Sequence, residues 1–244
     1  MQLSPVALPE PALQVAAGPD GSLLAVGRSA RLWRAAPGTL ALTEIADGVD
    51  GLTPLAMVAG RIAGRRNDGA LWVLDSATVA PLRRITLGAD EVFEDITQRR
   101  VSLDALDGLL TVISGPSGAR LALIAADPQQ AQALEIRASG EAIGTRNRWM
   151  SPSADGPHWM TVHTPHIGGL LHEYKLQGSP LVARRLRAGL STHKLVSRVL
   201  DMGSWHEGRL LLPDQAGTTL LLLDSRHEGP AWPKPTCHRR RRWH

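Results

Sequence analysis

All nine histidines of this 244-residue chain lie at or beyond position 158, and four of them, His158, His163, His166 and His172, fall in one short stretch. Imidazole ligates metals and moves protons near neutral pH, so their spacing sets the first chemical question. The runs HWMTVH (158–163) and GLLHEY (169–174) flank the turn segment TPHIGG. If they pair as antiparallel strands with Leu170 opposite His163, Thr161 faces His172. His163 and His172 then become diagonal neighbours on one face, roughly 7 Å apart at Cα. With His166 at the turn, the three rings could hold a zinc ion. The spacing matches no recognised metal signature, so solvent-facing or hydrogen-bonded histidines are the simpler expectation, and zinc is the only cofactor the sequence suggests.

Other chemically suggestive residues read as structural. Asp90, Glu91, Glu94 and Asp95 resemble the paired carboxylates of a sugar-cleaving site, but they sit in one connection followed by Arg99 and Arg100. A solvated turn with local ion pairs is expected there. Asp20, Asp68, Asp107 and Asp155 each precede a glycine, which marks them as turn formers. Ser117, in GPSGA, lies in a hairpin turn and not between a strand and a helix, so the strained elbow of a catalytic serine is absent. No phosphate-binding loop, dinucleotide fingerprint or cysteine-based metal pattern occurs. Two features remain as candidate partner contacts: Trp205 with His206 in the turn GSWHEG, and the run Arg239, Arg240, Arg241 and Arg242.

The elements that must position these residues are short apolar runs separated by Gly, Pro, Asp and Asn, with almost no helical periodicity. The stretch PDGSLLAVGRSARLWRAA (19–36) reads as a β-hairpin, and variants of it recur four times. Its second strand is matched by ALWVLD (70–75), ARLALIA (119–125), GLLHEY (169–174) and TTLLLLD (218–224). Leu32, Leu71, Leu121, Leu171 and Leu220 are equivalent, at intervals of 39, 50, 50 and 49 residues. The preceding strands repeat too, as SLLAVG, RIAGR, LLTVIS, HWMTVH and RLLLP, and each intervening turn contains glycine.

A period of roughly 40 to 50 residues with four short strands per unit is the pattern of a β-propeller blade. PDGSLLAVG and NDGALWVLDSATVAPLRRI resemble the middle of bacterial propeller repeats related to the WD-repeat group. That group shows an Asp-Gly turn, an apolar strand, and a strand ending near Trp and Asp. The Gly-His and Trp-Asp dipeptides of the group are missing, since Trp72 and Asp75 stand three apart. The resemblance spans residues 12–225 and implies an all-β propeller of about five four-stranded blades, near 12–46, 54–88, 92–139, 147–188 and 195–225. The last blade lacks an outer strand after Asp224, and Gln2 to Leu8 is the spare extended segment expected to complete it. A truncated piece of a larger propeller is the competing expectation. Residues 226–244 read as a flexible basic tail.

Composition narrows the function. The arginine run carries four of the 27 Lys and Arg residues, leaving 23 against 23 Asp and Glu. The folded body is therefore neutral, and nucleic acid is not its expected partner. The single cysteine, Cys237, excludes an intrachain disulfide, and neither a secretory leader nor a membrane-crossing run is evident, so a cytoplasmic protein is expected. The expected function is a non-catalytic scaffold that binds a protein partner. The alternatives are a hydrolase of glycans or small esters using the central channel, and a lectin-like carbohydrate binder. The lectin reading needs equivalent exposed aromatics in several blades, and only Trp33 and Trp72 are equivalent.

Overall fold

In the computed structural model, residues 8–17, 21–39, 41–47, 55–58, 60–66, 68–94, 99–103, 106–126, 134–146, 149–195, 197, 202–224 and 241–242 are described. They form strands and turns, with no helix among them. The first sheet comprises β1 (Ala12–Ala17), β2 (Leu23–Gly27), β3 (Leu32–Ala35) and β4 (Leu42–Ala46). The second comprises β5 (Leu55–Val58), β6 (Arg61–Arg65), β7 (Leu71–Asp75) and β8 (Pro81–Ile85). The third holds β9 (Val92–Phe93), β10 (Arg99–Leu103), β11 (Leu106–Gly115), β12 (Gly118–Ala126) and β13 (Leu134–Ser139). The fourth holds β14 (Met150–Asp155), β15 (His158–His163), β16 (Leu170–Leu176) and β17 (Leu181–Arg187). The fifth holds β18 (Ser204–His206), β19 (Arg209–Pro213), β20 (Thr219–Asp224) and β21 (Arg241–Arg242). Each sheet is an antiparallel meander in chain order, and the short β9 adds a fifth strand to the third sheet beside β11.

The middle strands are apolar on both faces because both faces are covered. Side chains alternate across a strand, so a run such as Leu109 to Ile113 supplies two surfaces at once. Leu109 and Ile113 join Val58, Ala63, Leu71 and Val73 in a core between the second and third sheets. Leu110 and Val112 turn the other way, to Trp159 and Tyr174 of the fourth sheet. Leu24, Val26 and Leu32 meet Met57, Ile62 and Leu74 between the first and second sheets. Met160, Val162 and Leu171 meet Leu210, Leu212, Leu221 and Leu223 between the fourth and fifth. The leading strands lie side by side in the order β1, β5, β10, β14, β18. Among the described residues, no core cluster joins the fifth sheet to the first.

The expected strand from Gln2 to Leu8 falls, save its last residue, outside the described residues. The outer position of the fifth sheet is held by Arg241–Arg242, paired with Leu220 and Thr219. Trp72 packs between the first and second sheets, and its indole N–H donates to the Asp68 carboxylate at 3.2 Å. Asp68 also accepts from the Ala70 N–H at 3.0 Å and from Arg84 Nε at 2.9 Å, so the Asp-Gly turn is structural punctuation. Trp33, at the equivalent position, is equally committed to packing, but its ring lies against Gly27 of its own sheet.

Leu109 is fully buried where two sheets meet, whereas Leu82 on β8 is 47% exposed. Leu109→Ala should lower the free energy of unfolding by about 2–5 kcal/mol, and Leu82→Ala by less than about 0.5 kcal/mol, measured by urea denaturation.

Candidate functional site

The fourth sheet gathers most of the chemistry-bearing residues. The register pairs Thr161 with His172 and His163 with Leu170, the pairing expected from the sequence. Trp159, Thr161 and His163 therefore share one face of β15 with Tyr174, His172 and Leu170 on β16. At the Trp159–Tyr174 end this face is apolar and packs on the third sheet. Toward the turn the same face becomes polar. His163 and His172 stack there with ring centroids 3.8 Å apart and planes 17° from parallel. His163 Nε2 is hydrogen-bonded to the Tyr174 hydroxyl at 2.9 Å.

These rings border a pocket of about 530 Å³, between the segment that leaves β13 and the outer edge of the fourth sheet. Glu141 and Ile143 line one side, and Leu181 and Arg185 line the other. Ser139 and Pro180 bridge the two sheets at its base. Gly140 is required at this wall, because a Cβ there would come within 2.9 Å of Tyr174 Cε1. The pocket belongs to the periphery, beside the outermost strands β13 and β17 and not the leading strands β10 and β14.

Burial governs the protonation of this cluster. His163 is 7% exposed, and burial, reinforced by the stacked His172, pushes its pKa down to about 3. His172 is also lowered, by burial first and by Arg185 opposite it in the register, against a hydrogen bond to the Leu170 carbonyl that favours the charged ring. A carbonyl only accepts, so His172 Nδ1 carries the proton, and in the neutral ring Nε2 keeps its lone pair. Burial raises the Tyr174 pKa, keeping the phenol protonated. At neutral pH the cluster is an uncharged stack able to exchange hydrogen bonds.

His166 is placed elsewhere. The turn from Thr164 to Gly169 folds against the connection to the fifth sheet, where the His166 and His193 rings meet edge to face at 4.2 Å. Trp149 touches His193 from the other side, with centroids 5.7 Å apart. Gly169 makes this approach possible: its φ is +51°, and an added Cβ would lie 1.7 Å from the Leu190 carbonyl oxygen. Burial, then His166, lowers the His193 pKa to about 4. On these two segments Ile167 is 64% exposed and Leu195 is 70% exposed, the highest values among the exposed large apolar side chains described.

The structure thus brings His163 and His172 together and sets His166 beside His193. Among the described residues, no group of three His, Cys, Asp or Glu side chains is placed to hold a metal ion. Trp205 is half-buried, packs on the core between the fourth and fifth sheets, and stacks on His158 with centroids 6.0 Å apart. His206 is exposed at the end of β18. Arg241 and Arg242 form β21, while Arg239 and Arg240 lie outside the described residues. In the acidic connection, Glu91 pairs with Arg120 and Glu94 with Ser114, while Arg100 pairs with Asp107 at 2.9 Å. Sequence reasoning did not single out Tyr174, Arg185, Ile167, His193 or Leu195. Tyr174 was within reach, because it continues the alternation that contains His172.

No protein-family model matches the chain, and no curated protein matches it. Solved structures do. The WD40 domain of SCAP from fission yeast is similar with a TM-score of 0.58 at 9% identity, over 98% of this chain and 54% of that one. The complex of the fission yeast SREBP and SCAP binding domains is similar with a TM-score of 0.56 at 10% identity, over 96% of this chain and 64% of that one. The dihydro-heme d1 dehydrogenase NirN, in complex with DHE, is similar with a TM-score of 0.55 at 15% identity, over 99% of this chain and 52% of that one. The fold is a β-propeller, and the chain spans only about half to two-thirds of the length of these structures.

The buried histidines make stability depend on pH. Between pH 6.5 and about 3 the unfolded chain binds a proton at His163 that the folded protein does not. Stability is therefore complete above pH 6.5 and falls as the pH drops toward 3. His163→Gln should flatten that slope by about one proton, read from urea midpoints across the pH range.

Proposed function

We propose that this protein is a non-catalytic β-propeller scaffold that binds a protein partner through the end of the fourth sheet. The observation that carries this reading is the pair Ile167 and Leu195. Two large aliphatic side chains are held out in solvent on separate segments that the His166–His193 contact locks together. Exposed apolar groups on preorganised loops gain more by burial against a partner than mobile ones, since less ordering entropy is lost. Lys194 is exposed beside Leu195, which suits a partner that offers an apolar anchor next to an acidic residue.

The fold does not decide between functions, because the similar structures include both the SREBP–SCAP complex and the dehydrogenase NirN. Placement favours the interaction reading. The hydrolase alternative needs a site in the channel, whereas the histidine pocket opens beside β13 and β17. Among the described residues, Trp33 and Trp72 both serve packing, which counts against the lectin alternative.

Ile167→Asp and Leu195→Asp should leave the thermal midpoint within about 2 °C of the parent, because neither side chain is part of a core. Affinity purification from the native host should recover a partner with the parent protein and at least about tenfold less of it with either variant. Equal recovery with parent and both variants contradicts the proposal.

A further inference from the structure

The proposed partner site makes no use of the pocket beside β13 and β17. Its volume of about 530 Å³ lies within the range of small-molecule sites. The register builds its floor: His172 is paired with Arg185 and Tyr174 with Ala183, so these four side chains share one face of the fourth sheet. The facing wall is the segment that leaves β13, and it is anchored on β12. The Gly140 N–H donates to the Leu121 carbonyl at 2.8 Å, and the Ile143 N–H to the Ala119 carbonyl at 2.9 Å. Glu141 is carried between these two anchors, so both walls are set by backbone hydrogen bonds before any ligand arrives.

Two opposite charges border this cavity without meeting. Among the described residues neither Arg185 nor Glu141 forms an ion pair, although Arg184, next to Arg185, holds Glu173 at 2.7 Å. Both charges act on the cluster: burial first and then Arg185 lower the His172 pKa, while Glu141 adds to the burial that raises the Tyr174 pKa. His172 spends its Nδ1 proton on the Leu170 carbonyl, which leaves Nε2 an acceptor with no protein partner among the described residues. Ile143 and Leu181 add apolar surface. One cavity thus offers a cation, an anion, a neutral acceptor and an apolar wall.

This combination selects among ligands by charge. A simple carboxylate would satisfy Arg185 but set its charge against Glu141, and a simple amine would do the reverse. A molecule that carries both charges on neighbouring carbons satisfies both. We infer that the pocket binds a free α-amino acid with an aliphatic side chain. The carboxylate takes the guanidinium fork of Arg185, the ammonium donates to Glu141 and to His172 Nε2, and the side chain lies on Ile143 and Leu181. The site involves neither Ile167 nor Leu195, so it stands or falls independently of the proposed partner surface.

Isothermal titration calorimetry of the full chain at neutral pH, with L-leucine as the probe, tests this. Saturable binding with a Kd below about 1 mM is expected. Isocaproate, which lacks the amino group, and isoamylamine, which lacks the carboxylate, should each bind at least about tenfold more weakly. Arg185 and Glu141 are both exposed, so Arg185→Ala and Glu141→Ala should keep the thermal midpoint within about 2 °C of the parent. Each should weaken leucine binding at least about tenfold, and Glu141→Ala should also narrow the gap between leucine and isocaproate, which a damaged fold would not do. No saturable heat with leucine up to about 10 mM, isocaproate bound as tightly as leucine, or leucine binding unchanged in either variant would each overturn the inference.

Discussion

Face-to-face burial between consecutive sheets is the constraint on which everything else here depends. A single four-stranded meander cannot bury both of its apolar faces, and a two-faced strand such as β11 has no stable place outside a stack. Leu109 and Leu110, adjacent in sequence and fully buried, belong to different cores on opposite sides of their sheet. Removing either side chain would loosen a different pair of sheets. The stack is thus a chain of nearest-neighbour interfaces, as in other repeat proteins.

The functional surfaces arise where that burial stops. The face of β15 and β16 that starts as core at Trp159 and Tyr174 ends as the His163–His172 stack, because beyond Tyr174 the third sheet no longer covers it closely and a pocket opens. Polar rings suit this border: burial holds both in the neutral form, which can still exchange hydrogen bonds. One step further, the turn holding His166 leaves the sheet and leans on the connection through His193, which lifts Ile167 and Leu195 into solvent.

Much of the fold was legible in the sequence because strand periodicity and turn chemistry are local. The equivalent leucines from Leu32 to Leu220 marked the repeat, and the register assumed across the glycine-bearing turn after His163 is the one the structure holds. The contacts that build the candidate sites were not legible, since they join residues whose proximity depends on how connections cross. His166 meets His193 only because the chain returns past Gly169 at Leu190, and Glu91 meets Arg120, not the adjacent Arg99 or Arg100, because β9 pairs with β11. Arg241–Arg242 on the edge of the fifth sheet carried no strand signal, being a run of like charge.

The central claim, that burial between consecutive sheets holds the stack together, is tested most directly by thiol labelling. Val73→Cys and, as an exposed reference, Leu82→Cys would each be made in protein carrying Cys237→Ser. The account predicts rapid alkylation of the thiol at position 82 and protection of the thiol at position 73, which lies fully buried between the second and third sheets. Equal alkylation rates at the two positions would contradict it, because the sheets would then not be packed face to face.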